Sequence, residues 1–332
     1  MKGTCLNIET RDAISRILFA PRSNNLLISS WDSTLRLYDV DRSVVRFEAS
    51  LEVALLGCCF QDESTAFSIG SDCCIRRHDF GSGIDFTIGK HDDLATCVEY
   101  SEKTCQAITA GLDKRIMSWD MRMEKSVVYS ELVGGEVESI SLCGLYLIVA
   151  MGTSINIYDL RNFKEPLQTT ESCMDYRVRC VNTFPNWKGY AVGSVDGRVA
   201  LKCLNPSDAN EMSCIFRCYP KSRDGRRHLV AVNDIVFNPS HYGAFVTGDN
   251  EGYATMWDAQ SRKRLFQFPR YPSSVASISY NHGGQLLAVA SSYTYQEANE
   301  IEKPPQIFIH EMDENDMDMG SAFQGSSKSD MA

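Results

Sequence analysis

At 332 residues the chain exceeds the usual size of one domain, and its 43% apolar, 10% aromatic and 23% charged residues are ordinary for a protein with a large core. A formal charge of −10 repels polyanions at long range, which argues against nucleic acid or an anionic membrane as the main partner. No run of roughly 18 or more apolar residues occurs, and residues 1–12 lack the apolar stretch of a secretory signal, so a cytosolic or nuclear protein is expected.

Residues 1–12 are a candidate for the outer strand of the last structural repeat. From there the chain reads as a repeated grammar of short strands and turns. Residues 13–19 alternate as a strand should, the turn residues Pro21-Arg22-Ser23-Asn24-Asn25 break the pattern, and residues 26–30 form a second strand. Trp31-Asp32-Ser33 is a tight turn, residues 34–40 a third strand, and residues 44–47 can supply a fourth. The same order recurs at 54–60, 66–70 and 74–80, at 95–100, 107–110 and 115–120, and at 137–142, 146–151 and 154–160. It continues at 177–184, 189–195 and 198–204, at 232–238, 244–247 and 253–258, and at 275–280, 286–291 and 306–311.

The third strands end in a common phrase: Leu37-Tyr38-Asp39, Arg77-His78-Asp79, Ser118-Trp119-Asp120, Ile157-Tyr158-Asp159 and Met256-Trp257-Asp258. The first four aspartates are separated by 40, 41 and 39 residues. A period of about 40–45 residues ending in aromatic-Asp marks a four-stranded WD-type propeller blade. The prediction is an all-β, seven-bladed WD40 β-propeller over residues 13–312. The phrase lapses in the fifth repeat, at Cys203-Leu204. Two stretches stand outside the grammar, a polar insertion at 205–230 and an acidic one at 293–305. An acidic, Gly- and Ser-containing tail over 313–332 is expected to be disordered.

Little here can carry catalysis. The turn aspartates Asp32, Asp72, Asp113, Asp196 and Asp249 precede third strands, where Asp accepts backbone N–H bonds, and separate blades hold them too far apart for paired acid–base work. His91, after Gly89-Lys90, matches the Gly-His that opens this repeat class, and its expected task is to brace a turn. His78, His228, His241, His282 and His310 show no metal spacing. The thirteen cysteines lack a C-x-x-C pair, and strand neighbours such as Cys58-Cys59 and Cys73-Cys74 point to opposite faces. Reduced, mostly buried thiols are expected, with no cofactor and no metal.

Two features suit docking. Arg217, Lys221, Arg223, Arg226 and Arg227 place five cations beside the single Asp224 in an acidic protein. That cluster reads either as a solvated loop or as a pocket for a phosphorylated or acidic peptide, since guanidinium forks match phosphate oxygens. Trp31 and Arg198 stand near turns, and these residue types dominate binding hot spots. Trp31 also suits the rim of its own blade, and Arg198 a pairing with Asp196.

On these residues the chain resembles the Bub-three-type mitotic checkpoint propellers, relatives of the WD-repeat mRNA-export factor, over roughly residues 14–312. The resemblance rests on Ser29-Ser30-Trp31-Asp32, Leu35-Arg36-Leu37-Tyr38-Asp39, Cys97-Val98-Glu99-Tyr100, Arg179-Cys180, and Gly193-Ser194-Val195-Asp196-Gly197-Arg198. Its most specific run includes Lys263-Arg264-Leu265, Arg270-Tyr271-Pro272 and Ser291-Ser292-Tyr293-Thr294-Tyr295. It implies a non-catalytic spindle-checkpoint adaptor, monomeric before partner binding, found in the nucleus and cytoplasm and at kinetochores in mitosis. Implied partners are checkpoint kinases or other proteins with a GLEBS-type motif, and a kinetochore scaffold with phosphorylated repeats. Carried over by motif, Trp31 and Arg198 would contact the GLEBS segment, and Arg217, with Lys221 nearby, would read phosphate. The chain departs from the family at Gly111-Leu112-Asp113, where a second docking Trp is usual, at Tyr219-Pro220-Lys221 after Cys218, and in the acidic turn Gly248-Asp249-Asn250-Glu251-Gly252. The alternatives are the export-factor sibling and a substrate receptor of a ubiquitin ligase.

Overall fold

The computed structural model describes residues 3–122, 127–172, 174–186, 188–204, 213–218, 222–223, 226–227, 229–241, 243–294 and 303–312. Seven four-stranded antiparallel sheets form a seven-bladed β-propeller. From the inner to the outer strand, blade one comprises Ile14–Phe19, Asn25–Ser30, Thr34–Asp39 and Val44–Ser50. Blade two comprises Leu55–Asp62, Thr65–Gly70, Cys74–Asp79 and Asp85–Lys90, and blade three Ala95–Ser101, Gln106–Gly111, Arg115–Trp119 and Val127–Leu132. Blade four comprises Ser139–Cys143, Tyr146–Met151, Ser154–Asp159 and Gln168–Glu171, and blade five Val178–Thr183, Gly189–Ser194, Arg198–Cys203 and Cys214–Arg217. Blade six comprises Val232–Phe237, Ala244–Asp249, Ala254–Asp258 and Lys263–Gln267. Blade seven has Val275–Tyr280, Leu286–Ser291 and Gln306–Glu311, and takes its outer strand from Gly3–Cys5, with Thr4 opposite Ile309.

An inner strand has one edge without a sheet neighbour, and an unpaired edge is costly. Side chains of the adjacent blade fill that need. Ser277 Oγ accepts from the Ile17 amide at 3.3 Å and Ser279 Oγ from the Phe19 amide at 3.0 Å, joining blade seven to blade one. Ser139 and Ser141 accept from the Val181 and Thr183 amides, each at 3.1 Å, and Asn182 Nδ2 donates to the Ile235 carbonyl at 2.7 Å. Small polar residues on the first strands are therefore ring closures.

Between blades the interior is apolar, with Phe67, Trp119, Phe184, Phe245 and Phe268 fully buried. Blade three shows why the repeat carries its phrase. Trp119 Nε1 donates to Thr109 Oγ1 at 2.8 Å, and His91 bridges Thr109 Oγ1 and Asp113 Oδ2, each at 2.7 Å. The His91 and Asp113 side chains are 0% and 2% exposed, so His91 braces its turn, as its Gly-Lys-His setting implied. Gly89 makes room for this arrangement, because a Cβ there would lie 1.9 Å from the Trp119 ring. Blade six keeps the Trp257 to Thr247 bond at 2.9 Å, and blade two replaces the pair with His78 on Ser68 at 2.7 Å.

Two sequence expectations change in detail. The fourth strand of blade one extends to Ser50, because Phe47 and Ala49 pack against the core shared with blade two. Within the polar stretch 205–230, Cys214–Arg217 is the outer strand of blade five rather than insertion. Phe216 explains this, since it packs against Phe245 and Trp257 at ring-centroid separations of 6.3 and 5.5 Å. The tail 313–332 and most of 293–305 lie outside the described residues. Among the described cysteines all are free thiols, with Cys58, Cys59, Cys97, Cys143 and Cys180 buried and Cys5 and Cys105 exposed.

Candidate docking face

Because the inner strands all run the same way, the turns between second and third strands lie on one face of the disc. Trp31 and Arg198 flank two such turns, in blades one and five, and so share that face. The face surrounds the mouth of a central channel of about 530 Å³ lined by all seven inner strands. Half-buried Trp31 lines it together with Leu94, Leu112 and Thr294. Leu112, standing where the resemblance has a second Trp, keeps this part of the mouth apolar.

Deeper in, the wall is polar and charged. Arg16 Nη2 bonds Glu99 Oε1 at 2.6 Å while its Nη1 donates to the Val98 carbonyl at 3.1 Å, which ties blade one to blade three across blade two. Asp234 accepts from the Ile278 amide at 2.9 Å, but burial outweighs those bonds and pushes its carboxyl up to about 6. Arg179 is a half-buried cation on the same wall and makes no hydrogen bond or ion pair among the described residues.

The outer corner of blade five brings two of the sequence candidates together. Arg198 and Arg217 are direct cross-strand partners. Like charges placed opposite one another destabilise a sheet, and Asp196 offsets them. Its Oδ2 accepts from Arg217 Nη2 at 2.7 Å and forms an ion pair with Arg198 Nε at 3.0 Å, and Arg217 Nη1 also donates to the Asp196 carbonyl. The Asp196 side chain is 0% exposed and receives a further bond from Ser194 Oγ, whereas Arg198 and Arg217 remain 22% and 24% exposed. Outside, Asp175 Oδ2 contacts Arg198 Nη2 at 2.9 Å from a side chain 75% exposed. The product is two guanidinium groups held in fixed positions at the surface by one buried carboxylate. Such a fork can take a carboxylate or phosphate.

Arg198 therefore does pair with Asp196, and that pairing leaves it partly open to solvent. Arg217 sits on a strand rather than in a loop. Lys221 lies outside the described residues, and the side chains of Arg223, Arg226 and Arg227 are not described. Sequence reasoning gave no role to Arg179 or Asp175. The signal for Arg179 was present as a cation, one of two with Arg16, in a ring of inner strands otherwise rich in Ser, Thr and Asn. Nothing near Asp175 in the sequence marks it, since its partner lies on another strand. Among the described residues no group of His, Cys, Asp and Glu is placed to hold a metal ion.

The fold and its turn grammar define a WD-repeat propeller, and the description "WD domain, G-beta repeat" matches residues 3–39. The mitotic checkpoint protein BUB3.3 of Arabidopsis thaliana is 49% identical over 314 residues, covering 94% of this chain and 100% of that protein. BUB3.1 of the same plant is 42% identical, covering 94% and 93%. The mRNA export factor GLE2 of Chaetomium thermophilum is 28% identical over 90% of this chain and 87% of that protein. The chain belongs to the BUB3 family of mitotic checkpoint WD-repeat proteins.

Proposed function

We propose that this BUB3-family propeller is a non-catalytic adaptor that binds a GLEBS-type peptide across the channel face and carries its partner to kinetochores in mitosis. The observation that supports this best is the blade-five corner, where Asp196 fixes Arg198 and Arg217 at the surface on the face that holds Trp31. Arg198 and the channel cation Arg179 pair with acidic side chains of the peptide, and an apolar side chain rests on Trp31. Arg217, with Lys221, reads a phosphorylated motif of the kinetochore scaffold. The protein is nuclear and cytoplasmic outside mitosis.

Titrating a labelled GLEBS-type peptide against the wild type and Arg198→Glu tests the reading. Reversing a partly desolvated charge is expected to cost about 2–5 kcal/mol of binding free energy. Equal weak binding by both forms would sink the GLEBS assignment. A phosphorylated MELT-type peptide titrated against Arg217→Glu tests the second contact, with unchanged affinity as the adverse result. The likeness to GLE2 supports a second reading, a nuclear-pore-bound export factor. Its RNA-contacting form requires affinity that falls steeply with salt.

A further inference from the structure

We infer that Asp175 is an internal counter-ligand: its carboxylate covers Arg198 where a partner's acidic group would sit, and it sets how much negative charge a ligand must bring. The inference rests on the reading of Arg198 as a contact for an acidic side chain. The two carboxylates on Arg198 differ in kind. Asp196 is fully buried, engages both arginines and receives the Ser194 hydroxyl, so no ligand can replace it. Asp175 is 75% exposed and engages Arg198 alone among the described residues, through the outward-facing Nη2. It is the exchangeable one.

The segment that carries Asp175 is held at both ends. Met174, 4% exposed, is buried in the core between blades four and five, and its amide bonds Ser172 Oγ at 3.3 Å. Arg177 pairs with Glu138 and, at 3.3 Å, with Glu136. The backbone at Asp175 is thus anchored over Arg198, and a side-chain rotation is enough to release the carboxylate. Its local concentration stays high while it is released, so it competes with every ligand that approaches.

Charge counting gives the selectivity. With Asp175 and Asp196 in place, the two arginines are matched by two carboxylates. A single incoming carboxylate exchanges one anion for another and gains only its better geometry. A phosphate, carrying about −1.5 to −2, displaces Asp175 and also serves Arg217, which hydrogen-bonds Asp196 alone among the described residues. The site as built therefore favours phosphate or paired acidic side chains over one carboxylate.

The experiment is a double-mutant cycle on the full chain, read by fluorescence anisotropy with a labelled GLEBS-type peptide. The forms are wild type, Asp175→Asn, Arg198→Glu and the double variant, with thermal melts to check folding and Asp175→Glu as a control that keeps the charge. Asp175→Asn is expected to tighten binding about two- to fivefold, the change that goes with an exposed charge pair. Asp175→Glu should leave it near the wild-type value. In the Arg198→Glu background the Asp175→Asn gain should vanish. An equal gain in both backgrounds would reveal a general charge effect and overturn the inference. Unchanged or weaker binding by Asp175→Asn, with Arg198→Glu still damaging, would overturn the counter-ligand role and leave the reading of Arg198 intact. If Arg198→Glu binds like wild type, the underlying reading fails, and absence of binding by all four forms overturns both.

Discussion

Blades three and five use the same turn carboxylate for opposite ends. In blade three, Asp113 meets His91, and both side chains are sealed from water in a chain of bonds that runs through Thr109 to Trp119. In blade five no histidine among the described residues faces Asp196, and the strand that should end in Trp-Asp ends at Cys203. Asp196 is as buried as Asp113, but its partners are Arg198 and Arg217, which reach the surface. A turn that elsewhere locks a blade here holds two cations in position.

The largest break in the comparison comes from Trp119→Ala, which opens a cavity in a fully buried site and strands the Thr109–His91 chain. A loss of about 3–5 kcal/mol is expected, measured by chemical denaturation. Blade two extends the scaffold side to pH. His78 occupies the Trp119 position on Ser68, and burial lowers its imidazole to about 4; His310 of blade seven, bonded by the Tyr271 hydroxyl at 2.7 Å, is lowered likewise to about 4. The unfolded histidines take up protons near pH 6.5 and the folded ones do not. Their stabilising contribution is therefore complete above that pH and lost as pH falls toward 4, by about 3 kcal/mol for each at the lower end. Asp234 acts in the other direction, because a carboxyl raised to about 6 binds its proton more tightly in the folded state and stabilises most at low pH. Two histidines against one carboxyl predict a net loss of stability on acidification from pH 6.5 to 4. His78→Gln should flatten the slope, and a slope unchanged in that variant would remove His78 from the account.

Asp196→Ala should cost less, about 1–3 kcal/mol, because both arginines it releases can turn to water. Its effect on acidic-peptide binding should nonetheless match that of losing Arg198, since neither guanidinium keeps its position. An Asp196→Ala protein that binds at wild-type affinity would break the claim that blade five is a positioned fork.

The ring was legible in sequence because its signals are local. A strand's alternation, its turn aspartate and its closing aromatic lie within a few residues of one another, and each blade repeats them. Even the failure at Cys203-Leu204 pointed to blade five. What was hidden depends on pairing across the fold. Phe216 marks a strand only once Phe245 and Trp257 of blade six are beside it, and in sequence it is swallowed by a polar stretch. Arg198 and Arg217 become neighbours through strand register, and Asp175 reaches Arg198 from the loop that enters the blade. No periodicity encodes those contacts, because the repeat specifies the blade and leaves its solvent edge open to change.

The smallest stability effect should sharpen the comparison most. Arg198→Ala removes a side chain 22% exposed whose loss frees Asp175 to water and leaves Asp196 still held by Arg217 and Ser194. An exposed pair of this kind contributes about 0–1 kcal/mol, so the melting temperature should barely move. Acidic-peptide affinity should fall well beyond that range, because a ligand's carboxylate loses a donor already in place. Scaffold residues such as Trp119 cost folding first, and a docking residue costs binding without folding. If Arg198→Ala instead melted as early as Trp119→Ala, the blade-five corner would belong with the scaffold, and the docking face would have to be sought at Trp31 and Arg179 around the channel mouth.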